Sequence, residues 1–174
     1  MKLNAKQKAY IVILAVTLPI LPAVAEEPAS APEVVKEADP LDKYRGATEL
    51  TDRELADLLS QVGFKGKSLK VAWAIAKKES NGRPLAHNDN VGTGDNSYGI
   101  FQINMIGNLG ESRRDKFGIV KNFELFDPVV NAQAAFYMSA KGTNFGAWGW
   151  GSKAYDGDPT EPKISEWLEK FPEQ

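Results

Sequence analysis

The sequence contains no cysteine and only one histidine, His87, and both shortages restrict its chemistry. Without cysteine there is no disulfide framework, no thiolate metal site and no cysteine nucleophile. A serine triad or a zinc site would depend on His87, and the sequence has neither a GxSxG nor an HExxH pattern. The formal net charge of −2 gives no bulk electrostatic reason to expect nucleic acid as a partner. The remaining catalytic chemistry is mostly that of carboxylates.

The N-terminus has the pattern of a secretory signal peptide. A lysine-rich start precedes the apolar run Ala9–Leu18, which is followed by Pro19 and Pro22. Ala23-Val24-Ala25 then supplies the small-x-small pattern of a signal-peptidase site, so residues 1–25 are predicted to be removed. The alternative is an uncleaved anchor, because the apolar stretch is near the lower limit for spanning a bilayer. Either reading predicts an exported protein of the periplasm, the cell envelope or the extracellular space.

The next segment, residues 26–47, predicts a flexible linker because it mixes prolines and acidic residues with little apolar pattern. A folded domain is then expected over residues 48–174. Its first helix has a capping box from Thr51 to Glu54 and is expected to end at Gly63.

The rest of the domain gives mainly helical signals with one short β-prone stretch. After a second helix, Leu69–Ser80, capped by Ser68, residues 81–97 have loop composition and Tyr98–Met105 is expected to form a strand or hairpin. Further helices are predicted over 109–117, from Asp127-Pro128 to Gly142, and around the amphipathic stretch Ile164–Phe171. The sum is an α+β domain, mainly α, with a cleft where the long loop opens away from the helices.

Glu79 is the acidic residue whose position is most informative. It follows Val71 and Ile75 at four-residue spacing, so the three side chains share one helix face. Burial on that face and the negative potential of a helix C-terminus both favour the protonated carboxyl, which is the form that a general acid needs. The alternative is an ordinary surface glutamate in the last turn of a helix.

Three spaced segments carry a family resemblance. Glu79-Ser80-Asn81 is followed by Ser97–Asn104 (SYGIFQIN), by Ala147–Trp150 (AWGW) and by Ala154–Gly157 (AYDG). These segments resemble those of the lysozyme-like superfamily, and in particular soluble lytic transglycosylase domains. The stretch Ile106–Ala135 is similar to transglycosylase-like domains that are common in phage proteins. The resemblance covers roughly residues 50–157.

The resemblance implies a lysozyme-like fold with a small β-hairpin lobe, a substrate cleft between lobes, and cleavage of the N-acetylmuramic acid–β-1,4–N-acetylglucosamine bond of peptidoglycan. Glu79 matches the catalytic acid of the family. No metal or other cofactor is implied. The expected partners are glycan strands, not nucleic acid, with membrane contact only through an uncleaved signal, and the expected state is a monomer.

The residue before Tyr98-Gly99 separates two reactions within this superfamily. Animal-type lysozymes have their second carboxylate, an aspartate, at this place, whereas this sequence has Ser97. Lytic transglycosylases have a serine near this place. The resemblance therefore implies a transglycosylase with Glu79 as its single acid and base. A hydrolytic muramidase stays open as the alternative, because Asp89 or Asp95 of the same loop could supply the second carboxylate. Turn formation is the commoner role of aspartate in such loops.

Six further residues are candidates for substrate contact by the same resemblance: Ser97, Tyr98, Gln102, Asn104, Trp148 and Tyr155. Tyr155 matches the family tyrosine that positions the catalytic glutamate. For Gln102 the alternative is ordinary strand alternation, and for Trp148 it is core packing. A further alternative for the whole chain is a non-catalytic, wall-binding or structural protein that keeps the fold. The sequence leaves the biological setting open among envelope maintenance, a secretion system and a phage.

Overall fold

The computed structural model describes residues 38–149 and 164–173. The described helices are α1 (Asp52–Val62), α2 (Gly66–Ser80), α3 (Gly107–Phe117), α4 (Pro128–Met138) and α5 (Ile164–Glu169). Three strands of two residues each, β1 (His87–Asn88), β2 (Ser97–Tyr98) and β3 (Ile103–Asn104), lie between α2 and α3. The mainly helical α+β class is confirmed, with its β content confined to one small sheet.

Helix α1 begins at the predicted capping box. The Thr51 hydroxyl accepts a hydrogen bond from the Glu54 amide (3.2 Å), and the Glu54 carboxylate accepts one from the Thr51 amide (2.8 Å). These reciprocal bonds satisfy amides that the helix itself cannot pair. The helix ends at Gly63, as predicted, with φ at 127°. Its apolar face, which includes Leu55, Leu58 and Leu59, is buried against α2 and α4.

Helix α2 starts earlier than its sequence suggests. It begins at Gly66, and Ser68 lies in the first turn, where its hydroxyl accepts from the Lys65 amide (3.1 Å). Ser68 is therefore the third helical residue and bonds back to the N-cap, which explains the difference of three residues at the predicted start. The centre of the helix is buried between α1 and α5, with Trp73 fully enclosed. The buried centre fixes the direction in which α2 presents its C-terminal end.

The segment before α1 is packed, although the sequence predicts that the linker extends to residue 47. Leu41 and Tyr44 are buried, and the Gly46 amide donates to the Asp127 carboxylate (3.1 Å). The Tyr44 hydroxyl also donates to the Asp57 carboxylate on α1. The described residues from 38 onwards belong to one compact unit, so the predicted end of the linker falls inside it. Isolated apolar residues without helical or strand periodicity gave no sign of this packing.

The sheet is antiparallel in the order β1-β2-β3. Ser97 pairs with Asn104 and Tyr98 with Ile103, which is the hairpin that the sequence predicts over Tyr98–Met105. Strand β1 pairs its two residues with the same two residues of β2, and the sequence analysis assigns it to a loop. A two-residue strand has no alternation to detect, so only the tertiary pairing defines it.

Helices α3 and α4 follow their predicted signals closely. Helix α3 ends at Gly118, which has φ at 67°. Helix α4 starts at Pro128 with Asp127 as N-cap, and the Asp127 carboxylate accepts from the Val129 amide (2.8 Å). It ends at Met138, before the predicted Gly142, because Ser139 turns the chain and its hydroxyl accepts from the Gly142 amide (3.0 Å).

Helix α5 closes the core from the other side of α2. Ile164 and Phe171 are buried, while Trp167 and Leu168 are partly buried against the same cluster, so the predicted amphipathic face is confirmed. The Phe171 ring meets Trp73 edge-on, with centroids 5.7 Å apart. Within the two described ranges, every helix is too short or too polar to cross a bilayer.

Candidate active site

A pocket of about 410 Å³ lies where the end of α2 faces the small sheet. Its polar lining comes from Glu79, Asn88, Asp95, Ser97, Gln102, Asn104 and Arg113, and its apolar lining from Ile103, Met138, Ala147 and Trp148. Depressions of about 420 to 580 Å³ occur elsewhere on the described surface, so volume does not single this one out. What distinguishes this pocket is that many of the predicted site residues line it. It forms a cleft between the helices and the hairpin lobe.

Glu79 is the penultimate residue of α2 and is half-buried in this pocket. Ile75 and Val71, one and two turns earlier on the same face, are buried. The helix ends one residue after Glu79, because Asn81 adopts the left-handed conformation (φ 56°) and its amide donates back to the Lys77 carbonyl (2.8 Å). The carboxyl therefore leaves the helix at the edge of the core, which is the placement predicted from its four-residue spacing.

Ser80 fastens this helix end to the sheet. Its hydroxyl is buried and lies 2.7 Å from the carbonyl oxygen of Ile100 and 3.2 Å from that of Ala76. The Ile100 carbonyl belongs to the turn that joins β2 to β3. Ser80 thus supports the geometry next to Glu79, and it is absent from the lining of the pocket.

Ser97 and Asp95 lie side by side in the pocket. Ser97 is buried on β2, and its hydroxyl donates to the Asp95 carboxylate at 3.0 Å. The Asn104 amide nitrogen lies 3.5 Å from the same carboxylate oxygen and 2.8 Å from the Gly94 carbonyl oxygen. Asp89 is exposed and is not part of the pocket lining. Of the two aspartates considered as a second carboxylate, the structure brings only Asp95 to the same pocket as Glu79.

Gln102 and Asn104 line the pocket as predicted and also hold its wall in shape. Gln102 has φ at 45°, and its amide nitrogen donates to the carbonyl oxygens of Gly99 (2.9 Å) and Ala86 (3.1 Å). The Asn104 side-chain oxygen accepts from the Ile106 amide (3.0 Å). Because these amide groups bind backbone, they fix the loop on both sides of the hairpin.

Tyr98 is placed away from the pocket, contrary to its assignment as a substrate contact. Successive residues of a strand point to opposite faces, so Tyr98 lies behind the sheet when Ser97 faces the pocket. Its ring is half-buried against His87 (centroids 4.4 Å apart) and Phe126 (5.2 Å). Tyr98 and His87 therefore form a small aromatic cluster, and their role in the described structure is packing.

Gly99 and Asn131 form the frame behind the hairpin. Gly99 has φ at 72°, and a Cβ there would lie 2.3 Å from both the Asn131 amide nitrogen and the Leu125 carbonyl oxygen. The fully buried Asn131 side chain donates to the carbonyl oxygens of Tyr98 and Leu125 and accepts from the Phe101 amide, each at 2.9 Å. A buried amide with these bonds fixes the turn to α4.

Trp148 contributes to both the core and the pocket. Its indole nitrogen donates to the Phe101 carbonyl oxygen (2.8 Å), and its ring lies 5.6 Å from that of Phe101. The side chain is buried, and part of it lines the pocket. Tyr155, and Trp150 of the same aromatic segment, lie outside the described residues.

Arg113 is a pocket residue that the sequence analysis missed. It is half-buried on α3, and its guanidinium donates to the Asn104 carbonyl oxygen. Burial lowers the pKa of Arg113, because desolvation disfavours the charged form. In the sequence it stands in the polar run GESRRDK, which looks like a solvated helix face. The one available signal was Gly110, a small residue three positions earlier on the same face.

The described pocket can supply a half-buried acid, a second carboxylate and a cation around a polar groove. Among the described residues, no group of three or more histidine, aspartate and glutamate side chains is arranged to hold a metal ion. The mainly helical fold, the small antiparallel sheet and the pocket between them agree with the lysozyme-like fold that the sequence resemblance implies.

Comparison with known families agrees with this class. The chain matches the lysozyme-like domain family over residues 56–149, which is more than half of its length, and it belongs to that family. No curated protein and no solved structure gives a significant match. The matched range contains Glu79, the hairpin, Arg113 and Trp148. Membership supports a glycan-cleaving activity in general, with peptidoglycan as the implied substrate.

Proposed function

We propose that this chain is an exported peptidoglycan lytic transglycosylase in which Glu79 acts as both acid and base. Glu79 first donates its proton to the glycosidic oxygen between N-acetylmuramic acid and N-acetylglucosamine, and the C1–O bond breaks. The N-acetyl group of the muramic acid stabilises the cationic sugar. The Glu79 carboxylate then takes the proton from the 6-hydroxyl, whose oxygen closes onto C1 to form a 1,6-anhydro ring. No water is consumed, and Glu79 ends in its starting protonation state.

The position and surroundings of Glu79 support its role as the acid. Glu79 is half-buried in the last turn of α2 and lines the pocket, so its carboxyl lies where it can reach the glycosidic oxygen of a bound glycan. The polar wall opposite the helix end, formed by Gln102, Asn104 and their neighbours, offers groups that can bind sugar hydroxyls and acetamido groups. The same wall is tied to the helix end through Ser80.

The observation that carries the transglycosylase assignment is the identity and bonding of Ser97. A buried serine occupies the hairpin position at which the hydrolytic relatives have their aspartate, and it cannot act as a carboxylate. The neighbouring carboxylate, Asp95, accepts the Ser97 hydroxyl at 3.0 Å and is next to the Asn104 amide. These contacts favour a role for Asp95 in holding the loop.

The second candidate is a hydrolytic muramidase, and the location of Asp95 is the observation that favours it. Asp95 is half-buried and lines the same pocket as Glu79. Two carboxyl groups on either side of a glycosidic bond are the usual requirement for hydrolysis. In that mechanism Asp95 would act as nucleophile or as base for a water molecule.

Product mass distinguishes the two reactions. Purified peptidoglycan is digested with the protein lacking residues 1–25, and the released fragments are analysed by mass spectrometry. A transglycosylase gives 1,6-anhydro ends, which are one water lighter than the reducing ends that a hydrolase gives. Exclusively reducing ends would refute the proposal in favour of the muramidase.

Two variants control this digestion. Glu79→Gln keeps the size of the side chain and should lower product release by on the order of 10²–10⁴-fold, because it cannot transfer the proton. Glu111→Gln makes the same chemical change at an exposed position of α3 and should digest like the wild type. If the folded wild-type protein binds peptidoglycan and releases nothing, the chain is a wall-binding protein of the same fold.

Export is proposed from the N-terminal sequence. If the signal is cleaved as its pattern predicts, the secreted protein begins at Glu26. N-terminal sequencing of the protein recovered from the periplasm or the medium tests this. A protein that starts at its first methionine and stays with the membrane fraction would indicate the uncleaved anchor.

A further inference from the structure

Arg113 is a positive charge that the fold brings into the glycan-binding pocket. Gly110, three residues earlier, is the buried residue of α3, and a Cβ at Gly110 would lie 2.2 Å from the Met105 carbonyl oxygen. Helix α3 therefore approaches the end of β3 at a distance that only glycine allows. Residues three apart share one helix face, so this close approach directs Arg113 towards the hairpin. Its guanidinium reaches the Asn104 carbonyl oxygen there.

The charge of Arg113 is only partly compensated by the described residues. A guanidinium has five N–H donors, and one described hydrogen bond, to the Asn104 carbonyl oxygen, uses its Nη1. Among the described residues no carboxylate forms a salt bridge with it, although Asp95 lines the same pocket. A half-buried guanidinium has N–H donors that this one hydrogen bond does not use, and they can bind an anionic ligand group through charge-assisted hydrogen bonds.

The neighbouring residue, Arg114, shows that this placement is specific. Arg114 donates to the Asn122 side-chain oxygen at 2.8 Å and is not part of the pocket lining. The two arginines are adjacent in sequence and have opposite surroundings, because successive residues of a helix point about 100° apart. Arg113 therefore faces the pocket, whereas Arg114 packs on the connection to α4.

Peptidoglycan offers one kind of group that fits Arg113. Its sugars are neutral except at N-acetylmuramic acid, whose lactyl group either carries a free carboxylate or is joined to a stem peptide that has carboxylates of its own. A planar guanidinium binds a carboxylate through paired hydrogen bonds. A polymer of N-acetylglucosamine alone has no such group.

We infer that Arg113 binds a carboxylate of the N-acetylmuramic acid unit and so selects peptidoglycan over neutral β-1,4-linked glycans. This inference rests on the proposed function of the pocket. It makes Arg113 a specificity-determining residue, because the contact is to a substituent of the sugar and not to the bond that breaks. Loss of Arg113 should therefore weaken the binding of acidic ligands and leave neutral ligands unaffected.

The test measures binding in a Glu79→Gln background, so that no ligand is consumed. Three ligands are compared by titration calorimetry: a peptide-free tetrasaccharide of alternating N-acetylglucosamine and N-acetylmuramic acid, the same tetrasaccharide with stem peptides, and the tetrasaccharide of N-acetylglucosamine. Adding Arg113→Gln should reduce affinity on the order of tenfold for whichever of the two acidic ligands carries the bound carboxylate, as expected for loss of a charged hydrogen-bonded pair. Affinity for the neutral tetrasaccharide should stay the same.

The pattern across the two acidic ligands identifies the carboxylate. A loss confined to the peptide-free ligand indicates the lactyl carboxylate, and a loss confined to the peptide-bearing ligand indicates a stem-peptide carboxylate. Arg113→Lys, which keeps the charge without the planar fork, should recover part of the affinity. Arg114→Gln, with the same change of charge outside the pocket, should bind all three ligands normally.

Two outcomes would overturn the inference. Equal losses for neutral and acidic ligands would mean that Arg113 acts only by supporting the Asn104 carbonyl, and unchanged binding of the acidic ligands would mean that it makes no contact. Thermal unfolding of each variant shows whether it is folded. Because the titration needs no turnover, a chain that binds acidic glycan selectively and does not cleave it would refute the proposed reaction and leave the role of Arg113 intact.

Discussion

The Ser80 hydroxyl lies 2.7 Å from the Ile100 carbonyl oxygen and joins the end of α2 to the turn between β2 and β3. This hydrogen bond is buried, and it connects the residue after Glu79 to the residue two positions before Gln102. The helical part of the domain and the hairpin lobe are thereby fixed to each other at the pocket. The position of the acid relative to the opposite wall depends on this contact.

Ser80→Ala should destabilise the fold and reduce activity. The substitution leaves the buried Ile100 carbonyl without its donor, which costs about 1–2 kcal/mol of unfolding free energy. Urea unfolding measures the loss of stability, and digestion of peptidoglycan well below the unfolding temperature measures the loss of activity. Ser112→Ala, at an exposed position of α3, is the matched control and should change neither. A Ser80→Ala protein as stable as the wild type would show that the contact is dispensable.

Asp95→Asn separates the two reaction schemes by activity. The asparagine side-chain oxygen can still accept a hydrogen bond from the Ser97 hydroxyl, so the loop should keep its conformation. If Glu79 is the single acid and base, the variant keeps most of its activity and still produces 1,6-anhydro ends. If Asp95 is a second catalytic carboxylate, activity falls on the order of 10²-fold or more. Asp89→Asn, outside the pocket, is the control for loop charge.

Gly99→Ala should be severely destabilising. The alanine Cβ would lie 2.3 Å from the Asn131 amide nitrogen and the Leu125 carbonyl oxygen, and φ at 72° adds backbone strain. We expect a loss of about 3 kcal/mol or more, or failure to fold. Gly94→Ala is the matched control, because Gly94 also has positive φ (84°) while a Cβ there meets no described atom within 4 Å. Strain alone should cost that variant about 1–2 kcal/mol. Equal losses of unfolding free energy in the two variants, measured by urea unfolding, would show that the steric clash at Gly99 does not contribute to the destabilisation.

Asp57 should make stability depend on pH in the acidic range. Hydrogen bonds from Lys43 and Tyr44 lower the pKa of Asp57 below its ordinary value. Its stabilisation is therefore complete above the ordinary aspartate pKa of about 3.9 and is lost as the pH falls through the lower folded-state value. Asp57→Asn should cost about 1 kcal/mol or less at neutral pH, because the Lys43–Asp57 pair is largely solvent-exposed.

Urea unfolding at a series of pH values tests whether the stabilisation by Asp57 is lost on acidification. The difference in stability between wild type and Asp57→Asn should be constant near neutral pH and should shrink below about pH 4. Asp115→Asn removes an exposed carboxylate of α3 that forms no described salt bridge, and it serves as the control for net charge. A difference that grows on acidification would contradict the assignment.

Local signals in the sequence were sufficient where one short segment contains all the interacting groups. The capping box of Thr51 and Glu54, the N-cap of Asp127 and the stop at Gly118 were all predicted, since each depends on bonds or backbone angles within a few residues. The face of α2 that carries Glu79 was predicted for the same reason, because helical spacing alone puts it next to Val71 and Ile75. The family resemblance could also be recognised from the sequence, because each of its motif segments consists of consecutive residues.

Contacts between segments that are distant in the chain could not be predicted from the sequence. Strand β1 exists only because β2 lies beside it, and Tyr44 is buried only because α1 is there to cover it. Arg113 looked like part of a solvated helix face, although the close approach at Gly110 places it in the pocket. Tyr98 was a candidate for substrate contact, but it lies outside the pocket lining, against His87 and Phe126, because a family motif does not specify which residue of a two-residue strand faces the pocket.

The sequence by itself determined the class of domain and the helix face that carries Glu79, because helix periodicity, caps and the motif segments depend on residues that are close together in the chain. The tertiary structure decided which other groups share the pocket with that acid. Asp95 lies in the pocket and Asp89 does not, Ser97 faces it and Tyr98 does not, and Arg113 enters it while Arg114 does not. Whether each of these residues lies in the pocket depends on how distant segments pack against each other. Residues that are neighbours in the sequence can therefore have different surroundings.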